Sequence, residues 1–228
     1  MDIRAVIPLR AASDCNDSGE ARFSIGGRPL WDITIAYALQ NASVTNVVVA
    51  YDDDCFLSAL EQWKDRVHLW KRPAYLSAPD ITTLDVLGPI AAHMEEIEGE
   101  FDYLMLLEIT HPLRPPKIAD QIISLVRKQS SDSVFTARSV PYNIWRSNNE
   151  GFSRIHGAAR GEAIFEEMIG ICSLFSPRFL NTSKPFGDMV DVVPIDRFWA
   201  AIDVRDADSQ WMAEQYYKRL NVIPSGND

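Results

Sequence analysis

Two apolar runs of this chain stop at an arginine. Ile3–Leu9 ends at Arg10, and Leu106-Leu107-Glu108-Ile109-Thr110-His111-Pro112-Leu113-Arg114 reads as a buried strand that enters a rigid turn and closes on a guanidinium. Ligands of open parallel sheets sit beyond the carboxyl ends of the strands. A guanidinium placed there grips a phosphate or carboxylate through two parallel hydrogen bonds. Each segment also reads as a surface turn with a solvated arginine, and spacing alone leaves that open. Between them, Arg72-Pro73-Ala74 follows a third apolar run, where the proline also serves simply to stop a strand. Near the C-terminus Asp203 adds a carboxylate whose plain reading is a helix cap or strand-end charge.

Other chemistries find no support. His68, His93, His111 and His156 show no H-x-x-x-H or H-E-x-x-H spacing, and no serine sits in a G-x-S-x-G elbow. Neither a P-loop nor a strand-borne G-x-G-x-x-G occurs, which disfavours acyl hydrolases, P-loop NTPases and dinucleotide enzymes. Asp52-Asp53-Asp54 looks like a metal cluster, but three consecutive carboxylates do not face one point, and a helix-capping loop is the simpler reading.

The elements that must position these residues follow from periodicity. Short apolar runs alternate with helical patterns, the signature of βαβ units and a mostly parallel sheet. Strands are predicted at Ile3–Pro8, Asn46–Ala50, Val67–Trp70, Tyr103–Leu107, Ser133–Ala137, Ile171–Phe175 and Val190–Pro194. Leu30, Ile33, Thr34, Tyr37 and Ala38 share one helical face, with Pro29 pre-set at its start. Further helices are predicted over Thr83–Glu98, after Pro115-Pro116, and from Asp206 to Leu220. Pro141–Glu167, with its scattered Asn and Gly, breaks the alternation and reads as a hairpin-rich insertion.

At 228 residues the chain fits one α/β domain. A net charge of -10 argues against nucleic acid or an anionic membrane as partner, both of which call for basic surfaces. It leaves room for a nucleotide held by a few local cations. The N-terminal apolar run, bounded by Arg4 and Arg10 and broken by Pro8, is a strand and not a signal peptide. No apolar stretch is long enough to span a bilayer. Cys15, Cys55 and Cys172 suit neither a disulfide framework nor a zinc site, so a soluble cytoplasmic protein is expected.

Five segments in order carry a resemblance. They are Leu9-Arg10-Ala11-Ala12-Ser13-Asp14-Cys15, Gly27-Arg28-Pro29-Leu30, Arg72-Pro73-Ala74-Tyr75-Leu76, Leu106 to Arg114, and Ala201-Ile202-Asp203-Val204. The series resembles the CMP-sugar synthetases, specifically the acylneuraminate cytidylyltransferases, whose patterns run A-R-x-x-S-K-G, G-K-P-L, R-P-x-x-L, L-L-Q-P-T-S-P-L-R and D-I-D-T. The resemblance implies a single-domain, mostly parallel Rossmann-like sheet of nucleotidyltransferase type across residues 1–228. It implies Mg²⁺-dependent transfer of CMP from CTP to a sialic-acid-like or related 2-keto-3-deoxy acid sugar, with release of pyrophosphate.

The same resemblance implies roles for residues. Arg10, Ser13 and Arg22 would hold phosphates, Arg72 would lie beside cytosine and ribose, and Thr83 would face the nucleotide, although Thr82 or Thr83 as a helix cap is the plainer reading. Arg114 and the insertion would line the acid-sugar side, Asp203 would hold Mg²⁺, and the insertion, about 141–167, would join two copies in a homodimer. Arg10 and Asp203 would be the catalytic pair.

The departures from the pattern are as informative. Asp14 and Cys15 stand where the family has Lys and Gly, Gly19 and Glu20 where it has Lys and Asn, Glu108 where it has Gln, and Ala201 where it has the first Asp. Losing one aimed donor at the reacting phosphate costs about 3 to 4 kcal/mol of transition-state stabilisation. An active transferase, one of altered specificity, and a paralogue that binds nucleotide or sugar without synthesising a CMP-sugar all fit these substitutions.

Overall fold

The computed structural model describes residues 1–11, 22–140, 144–148, 151–155 and 163–222. In chain order its elements are β1 (Ile3–Leu9), β2 (Ser24–Ile25), β3 (Arg28–Pro29), α1 (Leu30–Gln40), β4 (Val44–Tyr51), α2 (Leu57–Leu60), β5 (His68–Lys71), α3 (Thr83–Glu98), β6 (Tyr103–Leu106), α4 (Ile118–Gln129), β7 (Ser133–Ser139), β8 (Ile144–Asn148), β9 (Gly151–Ile155), β10 (Phe165–Glu167), β11 (Ser173–Phe175), α5 (Pro177–Leu180), β12 (Val190–Pro194) and α6 (Ala207–Val222).

Alternation along β1 builds a core on both faces of the sheet. Ile3, Ala5, Ile7 and Leu9 pack with Leu30, Trp31 and Ile35 of α1, Ile122 of α4 and Ala213 of α6. Val6 points the other way, to Val86, Leu87, Ile90 and Met94 of α3 and Leu180 of α5. Arg4 also faces that side and is buried, where its Nη1 donates to the Met94 carbonyl at 2.9 Å and its guanidinium lies 4.5 Å from the Phe101 ring centroid. Its Nη2 donates to the Glu98 carbonyl at 3.2 Å, at the end of α3 where no helical N–H reaches.

The sheet runs β10-β7-β11-β6-β1-β4-β5, with β12 also paired to β7. β6, β1, β4 and β5 are parallel neighbours, as the alternating pattern predicts. β11 is antiparallel to both β6 and β7, and β10 is antiparallel to β7. The Gly27-Arg28-Pro29-Leu30 segment forms the β2–β3 hairpin that leads into α1. Gly26 in its turn has φ +58, and a Cβ there would collide with the Tyr217 ring of α6, so both its backbone and its surroundings require glycine. Within the insertion, β8 and β9 pair as a separate antiparallel hairpin, as expected of a hairpin-rich segment.

Candidate functional site

A cavity of about 360 Å³ opens beyond the carboxyl ends of β1, β5 and β6, under the N-terminus of α3. Arg10, Arg72, Thr83 and Arg205 line it, together with Glu108, Ile109 and Thr110, which follow β6. Arg10 crosses the mouth, donating from Nη2 to the carbonyls of Ser77 (2.9 Å) and Ala78 (2.8 Å). Arg72 is buried, with Nη2 donating to the Leu9 carbonyl at 3.2 Å and pairing with Asp52 at 3.3 Å. Its Nε is buried and has no hydrogen-bond partner among the described residues. Burial pushes the Arg72 pKa below the usual arginine range, and the Asp52 carboxylate opposes that shift. The other Asp52 oxygen accepts from the Ala11 amide at 2.8 Å, so this carboxylate fixes the strand end that carries Arg10. Asp53, by contrast, accepts from the Cys55 amide at 2.8 Å and caps a short 3₁₀ turn, the capping role expected of that acidic run.

The start of α3 divides its two threonines between two tasks. Thr82 is the cap: its side chain accepts from the Asp85 amide while Asp85 accepts from the Thr82 amide at 2.8 Å, forming a capping box. Thr83 turns inward and donates to Glu108 Oε1 at 2.6 Å. Gly170 closes against this carboxylate from behind, since a Cβ there would collide with Glu108 and with His111 Nδ1.

Beyond Glu108 lies a second cavity of about 250 Å³, bordered by His111, Arg138, Glu166, Glu167, Ala201, Asp203 and Arg205. Glu108 and Arg205 border both cavities. Arg205 Nε donates to Asp203 Oδ2 at 2.6 Å, while Asp203 Oδ1 is buried without a hydrogen-bond partner among the described residues. Burial pushes the His111 pKa down to about 4, opposed by Asp203 and aided by Arg114 and Arg205, so its imidazole is neutral near pH 7.

Of the residues predicted from sequence, Arg10, Arg72 and Thr83 meet in the first cavity and Asp203 borders the second. Arg114 does not join them. It is 7% exposed, and it donates from Nε to the Ile171 carbonyl at 2.6 Å and from Nη2 to the Gly170 carbonyl at 3.3 Å and to the Glu108 carbonyl. Its Nη1 donates to Thr34 Oγ1 at 3.2 Å, and burial lowers its pKa to about 10. The guanidinium that sequence aims at a ligand is turned inward and ties three carbonyls together, so the surface turn with a solvated arginine does not result. Arg22 is exposed, with its guanidinium 4.9 Å from the Phe23 ring centroid, and borders neither cavity. Ser13, Asp14, Cys15, Gly19 and Glu20 lie outside the described residues. Arg205 and the pivotal place of Glu108 were not foreseen as site features. The one signal for Arg205 was its position two residues after Asp203 in the C-terminal motif.

No protein-family model matches the chain. A stretch of 131 residues is 28% identical to the 3-deoxy-manno-octulosonate cytidylyltransferase of Geotalea daltonii, covering 58% of this chain and 47% of that protein. Another of 140 residues is 26% identical to the CMP-N,N'-diacetyllegionaminic acid synthase of Legionella pneumophila, covering 61% of this chain and 59% of that one. The chain resembles the CMP-sugar synthetases. The matched segments span about half the length of these two CMP-sugar synthetases. Among solved structures, a CMP:2-keto-3-deoxy-manno-octonic acid synthetase complexed with CTP superposes with a TM-score of 0.68 at 15% identity, over 96% of this chain and 100% of that one. A 4-diphosphocytidyl-2C-methyl-D-erythritol synthase from Anaerococcus prevotii gives 0.68 at 13% identity, over 96% and 99%. At these identities the likeness is one of fold, a single-domain α/β architecture around a mostly parallel sheet.

Proposed function

We propose that the chain is a CMP-sugar cytidylyltransferase that transfers CMP from CTP to an acid sugar and releases pyrophosphate. The observation that carries this reading is the charge of the first cavity. In a protein of net charge -10, its lining brings the guanidiniums of Arg10, Arg72 and Arg205 together against the carboxylate of Glu108 at the strand ends. That placement suits a polyphosphate. An oxygen of the sugar's anomeric hydroxyl bonds to the α-phosphorus, the bond to the bridging oxygen breaks, pyrophosphate leaves with the electron pair, and the hydroxyl proton is released. The nucleophile comes from the substrate, so the protein's part is positioning and charge stabilisation.

Asp203 would hold Mg²⁺, which supplies positive charge to the triphosphate oxygens when bound. The donor set suits an ion that arrives with most of its ligands on the nucleotide, because Asp203 offers an Oδ1 that has no hydrogen-bond partner among the described residues. The impaired-paralogue alternative is the weaker one, because Arg205 returns a cation to the cavity that the Asp14 substitution would deplete. No helix among the described residues is long and apolar enough to cross a membrane. A cytoplasmic homodimer, joined through the insertion, completes the proposal.

Nucleotide-dependent thermal shift tests it. CTP with Mg²⁺ should raise the melting temperature more than ATP or GTP does, by mass-action stabilisation of the native state. Equal shifts for all three, or none, would count against a cytidine nucleotide site.

A further inference from the structure

One cation faces both cavities at once. Arg205 borders the first with Arg10 and Arg72 and the second with Asp203 and His111, and Glu108 is the other residue that borders both. If a nucleotide occupies one cavity and its acceptor the other, the phosphorus that passes between them lies at this junction. We propose that Arg205 is a catalytic residue whose guanidinium contacts the α-phosphate and the bridging oxygen as the bond to pyrophosphate breaks. This rests on the nucleotidyltransferase reading of the site.

The loop that carries Arg205 is held in place on both sides. The Val204 amide donates to the Thr110 carbonyl at 2.8 Å, which ties the loop to the segment that follows β6. The Arg205 and Asp206 amides both donate to Ser209 Oγ at 3.1 Å, and the Ser209 amide donates back to Asp206 Oδ1 at 2.8 Å, locking the approach to α6. Asp203 then sets the guanidinium plane through the 2.6 Å bond to Nε. With its side chain 54% exposed, Arg205 stays within reach of a ligand while its base is fixed.

The chemistry asks for such a group. In the ground state the α-phosphate and bridging oxygen share their charge with the rest of the triphosphate. As the bond to the bridging oxygen breaks, negative charge accumulates on that oxygen, and a preorganised donor there acts more strongly on the transition state than on bound CTP. Arg205 would thereby supply charge that this sequence lacks at Asp14, where the resembling family has a lysine.

The test is steady-state kinetics of pyrophosphate release by the wild type and Arg205→Ala, with inorganic pyrophosphate binding measured by calorimetry on both proteins. Arg205→Ala should lower kcat by at least a hundredfold, on the scale of losing one transition-state donor, with the KM for CTP changed less than threefold. Its affinity for pyrophosphate, in which the developing charge is complete, should fall at least tenfold. Added guanidinium should restore part of kcat to Arg205→Ala and leave the wild type unchanged, a response that a purely structural role would not give. Wild-type turnover with Arg205→Ala within threefold in kcat overturns the assignment. If the wild type turns over no acceptor, the cytidylyltransferase reading fails, and pyrophosphate binding decides Arg205 alone: a tenfold loss in the variant upholds the phosphate contact, and equal affinities or no wild-type binding overturn it.

Discussion

Thr83 Oγ1 donates to Glu108 Oε1 at 2.6 Å, so the first turn of α3 holds the carboxylate that divides the two cavities. That carboxylate faces any acidic acceptor with a like charge. Like charges a few ångströms apart near a protein surface repel by roughly 1 to 3 kcal/mol. Glu108→Gln keeps an oxygen to accept from Thr83 and removes the charge. Its KM for an acid sugar, at saturating CTP, should fall about tenfold, since about 1.4 kcal/mol is a factor of ten. A raised KM would show that the acceptor needs the carboxylate.

Arg114 should matter for stability before it matters for substrate. Arg114→Met takes the Nε donor from the buried Ile171 carbonyl and the second donor from the Gly170 and Glu108 carbonyls, which keep the Glu108 and His111 amides. The expected loss is about 3 kcal/mol in urea unfolding, within the range for breaking a buried charged network, with CTP affinity of the folded fraction unchanged. Native stability combined with a selective rise in the acid-sugar KM would instead return Arg114 to the site.

Much of this architecture was legible in the sequence. Thr82 and Asp85 mark the start of α3 through local chemistry alone, and the apolar runs at Ile3, Asn46 and Ser133 each become strands. Strand direction was not legible: an apolar run such as Ile171–Phe175 carries no sign of whether it pairs parallel or antiparallel, and β11 enters the sheet reversed. The aim of Arg114 was illegible for a related reason. Its partners at Gly170 and Ile171 lie 56 and 57 residues away and meet it only through the tertiary fold. Arg205 was missed likewise, because its importance comes from the junction of two cavities and from no local pattern.

Asp132 should govern part of the acid sensitivity. Its Oδ2 accepts from the amides of Asp188 (2.9 Å) and Met189 (3.0 Å), and Arg178 pairs with its other oxygen. The Met189 amide first, then Asp188 and Arg178, hold its carboxyl below the usual carboxylate range. A depressed folded-state pKa gives stability that is present above the unfolded value, about 3.9, and is lost as pH falls through the folded one. Asp132→Asn should therefore lower the melting temperature by several degrees at pH 7 and narrow its deficit against the wild type below pH 4. A deficit that stays constant from pH 7 to pH 3 would contradict this.

The β8–β9 hairpin carries Trp145 and Phe152, 58% and 80% exposed, with Phe165 of β10 at 43%. Large apolar side chains exposed in this way suit an interaction surface, and a second copy of the chain is the proposed partner. Light scattering at micromolar concentration should give a dimer, and Trp145→Ser combined with Phe152→Ser should give a monomer of unchanged far-UV circular dichroism. A monomeric wild type would remove the dimer from the proposal.

Pyrophosphate release by the wild-type protein, given CTP, Mg²⁺ and a panel of eight- and nine-carbon 2-keto-3-deoxy acid sugars, bears most directly on the proposed chemistry. Release should depend on CTP and on at least one acid sugar together, form the matching CMP-sugar in equal amount, and disappear in Asp203→Ala. No release above the no-acceptor control with every sugar, or full activity in Asp203→Ala, would contradict it.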